Sequence, residues 1–234
     1  MKYKRILLKL SGEALLGNDY NIDPKACDFV ASEIKTLVEI GVEVVVVLGG
    51  GNIFRGKAAE EHGMNRTTGD YIGMLATVMN SLALRSTLSK IGIESRVASA
   101  LDMPKVCEPY VRDKALRHLE KGRVVIAAAG SGNPYFSTDT AAAIRACELN
   151  CDTVLKATKV DGVYDKDPIK FKDAIKFKEL TYLDVINKKI EVMDSTAITL
   201  CMENNLPICV FELMKHGNIK RAASGEAVGT AISN

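Results

Sequence analysis

The chain has 234 residues, 47% of them hydrophobic and 26% charged, and its 31 Lys plus Arg against 29 Asp plus Glu leave a formal charge of +2. That length and apolar content can bury a large core in one large or two small domains, while so small a net charge excludes a nucleic-acid coat or a polybasic membrane anchor as the main activity. No apolar stretch reaches the roughly 18 residues of a membrane span, and MKYKRILLKLSGEALLG has no small-residue cleavage site, so the sequence reads as a cytoplasmic protein.

Arg5 to Leu10 is a short strand that runs into Lys9, Ser11, Gly12 and Glu13. Lys9 at the exit is either a solvated edge charge or, with N–H support from Ser11 and Gly12, a phosphate ligand. The Walker sequence GxxxxGK[ST] is absent. Asp23 and Pro24 read as cap and first residue of a helix with Cys27, Val30, Ile34, Leu37 and Val38 on one face, closed by Gly41. Val42 to Leu48 is the second strand, and it leaves through Gly49, Gly50 and Gly51. Consecutive glycines carry no Cβ and let a ligand approach backbone N–H groups closely, at a cost in entropy. GxGxxG is not completed, because Phe54 holds its last position. Arg55 is a solvated loop residue or a fork for phosphate oxygens.

The next helix is expected from about Asp70 to Ile91, with Ile72, Leu75, Ala76, Met79, Leu82, Ala83 and Ser86 on its inner face. Asp70 is a cap or a ligand carboxylate, and spacing alone favours the cap. Ile93 to Ala98 is a strand and Tyr110 to Lys121 a helix ended by Gly122. Val124 to Ala129 is an apolar run suited to a strand covered on both faces. Gly130, Gly132, Asn133 and Pro134 interrupt it, and Ser137, Thr138, Asp139 and Thr140 can each cap the alanine-rich helix that follows. A strand exit meeting a helix start with free N–H groups suits an anion, although a well-capped turn without ligand has the same pattern. Asp152 to Ala157 is another strand, followed by a polar loop through Thr158, Tyr164 and Asp167. Ala174 to Leu180 alternates as a surface strand, Thr181 to Lys188 and Asp194 to Asn204 are short helices, and Ile208 to Leu213 and Val228 to Ile232 are the last strands.

Six cysteines include no CxxC pair and read as free thiols. Cys147 and Cys151 have i, i+4 spacing, but His62, His118 and His216 complete no metal site with them. Alternating strands and helices imply an α/β fold with a mainly parallel sheet and right-handed crossovers. In such a sheet the loops at Lys9 to Gly12, Gly49 to Arg55, Gly130 to Thr138 and Ala157 to Asp167 share one edge and line one crevice, which points to phosphoryl transfer.

KRILLKLSGEAL at 4–15, VLGGGNIFRG at 47–56, GSGNPYFSTDTAA at 130–142, KATKVDGVYDKDP at 156–168 and MDSTA at 193–197 together resemble the bacterial UMP kinases of the amino acid kinase superfamily, nearly end to end. The resemblance implies a three-layer αβα sandwich in a single domain over 1–234, a homohexamer, and the reaction of ATP with UMP, with magnesium, to give ADP and UDP. It places ATP phosphates on Lys9, Leu10, Ser11, Gly12, Gly51 and Arg55, and the adenosine on Thr158, Tyr164 and Asp167. It places UMP on Gly50, Asp70, Ser131, Gly132, Asn133, Pro134, Tyr135, Phe136, Ser137 and Thr138. Acceptor binding then falls mainly in 1–150 and donor binding mainly in 151–234. Asp139 and Asp194 resemble the carboxylates that hold the catalytic lysine or the metal, with Asp139 able to cap its helix in addition. GTP activation and UTP inhibition are implied, but the segment Gly17, Asn18, Asp19, Tyr20, Asn21 is shorter and poorer in glycine than in the GTP-regulated members. A competing reading within the same fold is a nucleotide storage or sensor protein without turnover.

Overall fold

The computed structural model describes residues 2–56, 61 and 63–234; His62 lies outside the described residues. Its strands are β1 (Arg5–Leu10), β2 (Glu43–Leu48), β3 (Ser95–Ser99), β4 (Glu108–Pro109), β5 (Val124–Ala128), β6 (Thr153–Thr158), β7 (Glu179–Thr181), β8 (Ile208–Glu212) and β9 (Thr230–Ser233). They form one nine-stranded sheet in the order β4-β3-β5-β2-β1-β6-β8-β9-β7. Neighbours run parallel except β8 with β9. The neighbours β5, β2, β1 and β6 are those whose exits carry the glycine, lysine and hydroxyl motifs, so those loops lie along one sheet edge.

The helices that pack on the sheet include α1 (Pro24–Val38), α2 (Arg66–Lys90), α3 (Arg112–Glu120), α4 (Thr138–Glu148), α5 (Tyr182–Asn187), α6 (Ser195–Glu203) and α7 (Asn218–Ala223). Continuous Val, Ile and Leu runs in the central strands require cover on both sides, and the helices supply it. Ile6, Leu8 and Leu10 join one apolar cluster with α1, α2 and α7, while Leu7, Val45 and Val47 join another with α3 to α6. The result is a three-layer αβα sandwich. Strand alternation puts Lys9 on the side of Leu7 and Lys156 on the side of Val154, so both enter the layer containing α4.

Several expectations are corrected. Helix α2 begins at Arg66, and Asn65 is its cap, accepting from Thr67 N at 3.0 Å and Thr68 N at 3.4 Å. Asp70 is therefore a full turn inside the helix and is not a cap. Leu75 and Met79 face outward at 48% and 52% exposure, whereas Met74, Thr77, Val78, Asn80, Ser81, Leu84 and Leu88 are buried. The helix is rotated from its apolar stripe because Thr77 and Asn80 bond to the loops at the sheet edge. The 174–180 segment supplies only an isolated bridge of Lys176 with Tyr164 and the short strand β7, since Asp165 takes the Ile175 amide at 2.7 Å. Ser137, not Asp139, caps α4. Cys151 lies beyond the end of α4, so it and Cys147 do not share a helix face.

Helix α2 closely approaches the triglycine turn. A Cβ added at Gly50 would stand 2.8 Å from Gly73 O and 2.9 Å from the Ala76 Cβ. Gly50→Ala must push the turn off the helix and should destabilise the protein by about 1–3 kcal/mol, the usual cost of overpacking. Urea unfolding at neutral pH measures it, and an unchanged midpoint would contradict this packing.

Candidate active site

Lys9 on β1 and Lys156 on β6 are directly paired in the parallel register. Two adjacent ammonium groups inside a protein repel each other and lose hydration, which is tolerable only with a counter-ion. Asp139, in the first turn of α4, supplies it. One carboxylate oxygen is 2.6 Å from Lys9 Nζ and the other 2.8 Å from Lys156 Nζ. Lys156 Nζ also donates to the carbonyl of Val192. Burial opposes the charge on Asp139, yet the two ammoniums hold its carboxyl below the ordinary aspartate range. Burial lowers the Lys156 pKa, and the Lys9 charge adds to that effect while Asp139 opposes it. Asp194 also acts on Lys156, so its carboxylate offsets part of the positive charge that one aspartate between two lysines leaves.

The helix that carries Asp139 is fixed at its start. Ser137 Oγ accepts from Asp139 N at 3.0 Å and Thr140 N at 3.1 Å. Ser137 Oγ donates in turn to Asp194, and Thr140 Oγ1 donates to the other Asp194 oxygen at 2.8 Å. Asp194 also caps α6 by accepting from Ala197 N at 3.0 Å. Asp194 thus ties two helix starts together and makes no ion pair with Lys9.

The loops around this cluster are pinned by buried polar groups. Asn52 and Asn80 form a reciprocal amide pair, at 3.0 and 2.8 Å, and Asn80 Nδ2 also donates to Gly49 O at 2.7 Å. Asn52 reaches Asn21 O at 2.6 Å, coupling the 17–21 segment to the triglycine turn. A Cβ on Gly12 would meet Gly49 O and Gly51 N at 2.8 Å, so the exits of β1 and β2 touch. Ser11 caps the short 3-10 turn Gly12–Leu15, and Leu10 is wholly buried, leaving only its backbone for a ligand. Arg55 is exposed and pairs with Glu13 at 2.6 Å.

A cavity of about 170 Å³ is lined by Gly50, Gly51, Asp70, Thr77, Gly130, Ser131, Phe136, Ser137 and Thr138 among others. Gly132, Asn133, Pro134 and Tyr135 form the outer arc of the same loop and do not line it. That arc is tied down by Tyr135 N donating to Asp70 Oδ2 at 2.7 Å. The β5 exit turns through left-handed backbone at Ala129 and Gly130. Thr77 Oγ1 accepts the Ala129 amide at 2.8 Å. The buried Arg145, stacked 3.7 Å from the Tyr110 ring, pairs with Glu148 beneath that turn.

A larger cavity of about 530 Å³ is lined by Lys156, Thr158, Tyr164, Asp167, Ile190 and Val192 among others. Thr158, Tyr164 and Asp167 are the residues to which the resemblance assigns the adenosine. Its lining is mainly polar and charged, with Val163, Ile190, Val192 and Val210 among its apolar surface, and its volume falls in the range of small-ligand sites. Lys156 is the member of the Lys9–Asp139–Lys156 cluster that motif reading left unassigned. Its signal was a lysine between Leu155 and Ala157 in a strand otherwise apolar on both faces.

The chain belongs to the amino acid kinase family, whose model matches residues 4–212. It is similar to the UMP kinase of Bacillus anthracis, with 44% identity, a TM-score of 0.95 and coverage of 99% of this chain and 96% of that one. It is also similar to the UMP kinase of Ureaplasma parvum, with 36% identity, a TM-score of 0.94 and complete coverage of both chains. The uridylate kinase of Archaeoglobus fulgidus is 28% identical, with a TM-score of 0.73 over 97% of this chain and 99% of that one.

Asp139→Asn should leave two buried ammoniums without a counter-ion and cost about 3–5 kcal/mol at pH 7. The Lys156 pKa lies below the usual lysine value and falls further in the variant. Raising the pH toward that value discharges the lysine in the folded state, so the stability gap to wild type should narrow from pH 7 to 10. Denaturant titrations across that range would refute the charge assignment if the gap widened.

Proposed function

We propose that this protein is an ATP:UMP phosphotransferase that gives ADP and UDP in pyrimidine nucleotide biosynthesis. The observation that carries this reading is the position of the Lys9–Asp139–Lys156 cluster. Lys156 stands in the wall of the larger cavity, and Asp139 directly follows Thr138 in the wall of the smaller, so the charged cluster adjoins both cavities. The likeness to UMP kinases supports the identity of the two substrates.

In this reading ATP phosphates meet Lys9 to Gly12, Gly51 and Arg55, adenosine meets Thr158, Tyr164 and Asp167, and UMP lies on Gly50, Asp70 and Ser131 to Thr138. Donor binding is mainly in 151–234 and acceptor binding mainly in 1–150. A phosphate oxygen of UMP forms a bond to the γ-phosphorus while the bond to the β–γ bridging oxygen breaks, and ADP leaves with that electron pair. The acceptor is already an anion and needs no strong base. The protein's task is to align two anions and neutralise charge in the transition state. Lys9 and Lys156 do this from a site that excludes water, where fixed charge counts for more. Asp139 keeps them adjacent and opposes the fall in the Lys156 pKa.

Magnesium on ATP supplies further neutralisation at the phosphates. Among the described residues no group of three or more His, Cys, Asp or Glu is placed to hold a metal by itself. Asp194, whose partners are hydroxyls and an amide, is the carboxylate available to hold it; Asp139 is committed to the lysines. By family resemblance the reading includes a homohexamer, GTP activation and UTP inhibition. The bond from Asn52 to Asn21 O gives the 17–21 segment a physical path to the triglycine turn. The likeness to UMP kinases favours turnover over storage or sensing.

A coupled assay with ATP, magnesium and a panel of nucleoside monophosphates tests the reading; UMP should be preferred, and no turnover of any would overturn it. Lys9→Ala should lower kcat by roughly two or more orders of magnitude, as removal of one transition-state donor does. An unchanged rate at saturation would refute its role. Asp70→Asn should mainly raise KM for UMP, and an effect confined to ATP would count against the placement of the acceptor.

A further inference from the structure

Above the buried cluster lies a second, exposed set of one carboxylate and two cations. Glu13, in the turn after β1, receives Arg55 Nη2 at 2.6 Å on one oxygen and Lys159 Nζ at 2.7 Å on the other. Arg55 comes from the β2 exit and Lys159 from the β6 exit, so the three residues join the loops of neighbouring strands β2, β1 and β6. Thr158 and Val160 line the larger cavity, while Lys159 between them reaches Glu13. Both cationic side chains are 66% exposed, against 26% for Glu13.

Exposed pairs of this kind contribute little to folding, so stability does not account for three loops converging on one carboxylate. A polyphosphate offers the same cations several anionic oxygens in place of two. We propose that Glu13 is an ionic placeholder that holds Arg55 and Lys159 for the donor phosphates, and that Lys159 is a further phosphate-binding residue. The inference rests on the kinase reading for the identity of the donor. Before the donor binds, Glu13 keeps both cations aimed and partly neutralised. On binding, phosphate oxygens replace the carboxylate, and on release Glu13 competes for the cations and speeds departure of the nucleotide. Its hydrogen bond from Lys159 keeps Glu13 charged well into the acid range, so the competitor is an anion at neutral pH.

Titration calorimetry of the full chain with inorganic tripolyphosphate, without magnesium, tests this directly. Glu13→Gln removes the competitor and should tighten binding by about three- to tenfold at low salt, with the gain shrinking at high salt. Lys159→Gln should weaken binding by a similar factor, and the gain from Glu13→Gln should shrink in the double variant. In steady state, KM for ATP should fall in Glu13→Gln and rise in Lys159→Gln. A tether that merely orders the loops predicts the opposite sign, weaker tripolyphosphate binding in Glu13→Gln, and that result overturns the proposal. So does unchanged binding, or a variant whose only defect is a higher magnesium requirement. The binding arm needs no turnover: absence of UMP phosphorylation by wild type would sink the kinase reading alone, while unaltered binding in a wild type that makes UDP would sink the placeholder alone.

Discussion

The structure depends on one carboxylate held between two lysines that face each other across parallel strands. Lys9 and Lys156 are in register by the pairing of β1 with β6, and Asp139 reaches both because α4 starts over the gap between those strands. Neither lysine is tolerable there alone, because an ammonium loses more hydration than a neutral interior returns. The sheet register, the start of α4 and the charge state of the site are thus consequences of one another.

Polar residues inside α2 serve the same end by another route. Thr77 and Asn80 occupy positions that a helix would ordinarily fill with apolar side chains, and each bonds to a strand exit: Thr77 to the Ala129 amide, Asn80 to Gly49 O and Asn52. Loops rich in glycine lose much entropy on ordering. Rigid donors and acceptors on a long helix hold them in place. Leu75 and Met79 are left outward as a result, so an exposed apolar stripe is the counterpart of well-held loops.

Charge is arranged in depth at this edge. The buried trio is shielded from salt and keeps its geometry, whereas the Glu13 trio above it is solvated and exchangeable. The first suits charge that must be fixed at the moment of transfer, the second charge that must be handed over and taken back. The same motif of one carboxylate between two cations serves two ends because of its depth.

The sequence by itself determined the α/β class, the helix α1 from Asp23 and Pro24, the central strands and the clustering of glycine, lysine and hydroxyl motifs at strand exits, because periodicity and turn chemistry are local. It also marked Lys9, Arg55, Asp70 and the 130–138 loop as site candidates. Only the tertiary structure decided that Asn65 caps α2, that Ser137 frees Asp139 from capping, and that Lys156 completes the cluster. It also decided that Asp194 joins two helix starts and that Thr77 and Asn80 point inward. Those choices turn on which atoms meet across strands and helices far apart in the chain, and a polar side chain buries where a partner awaits it, which no local pattern records.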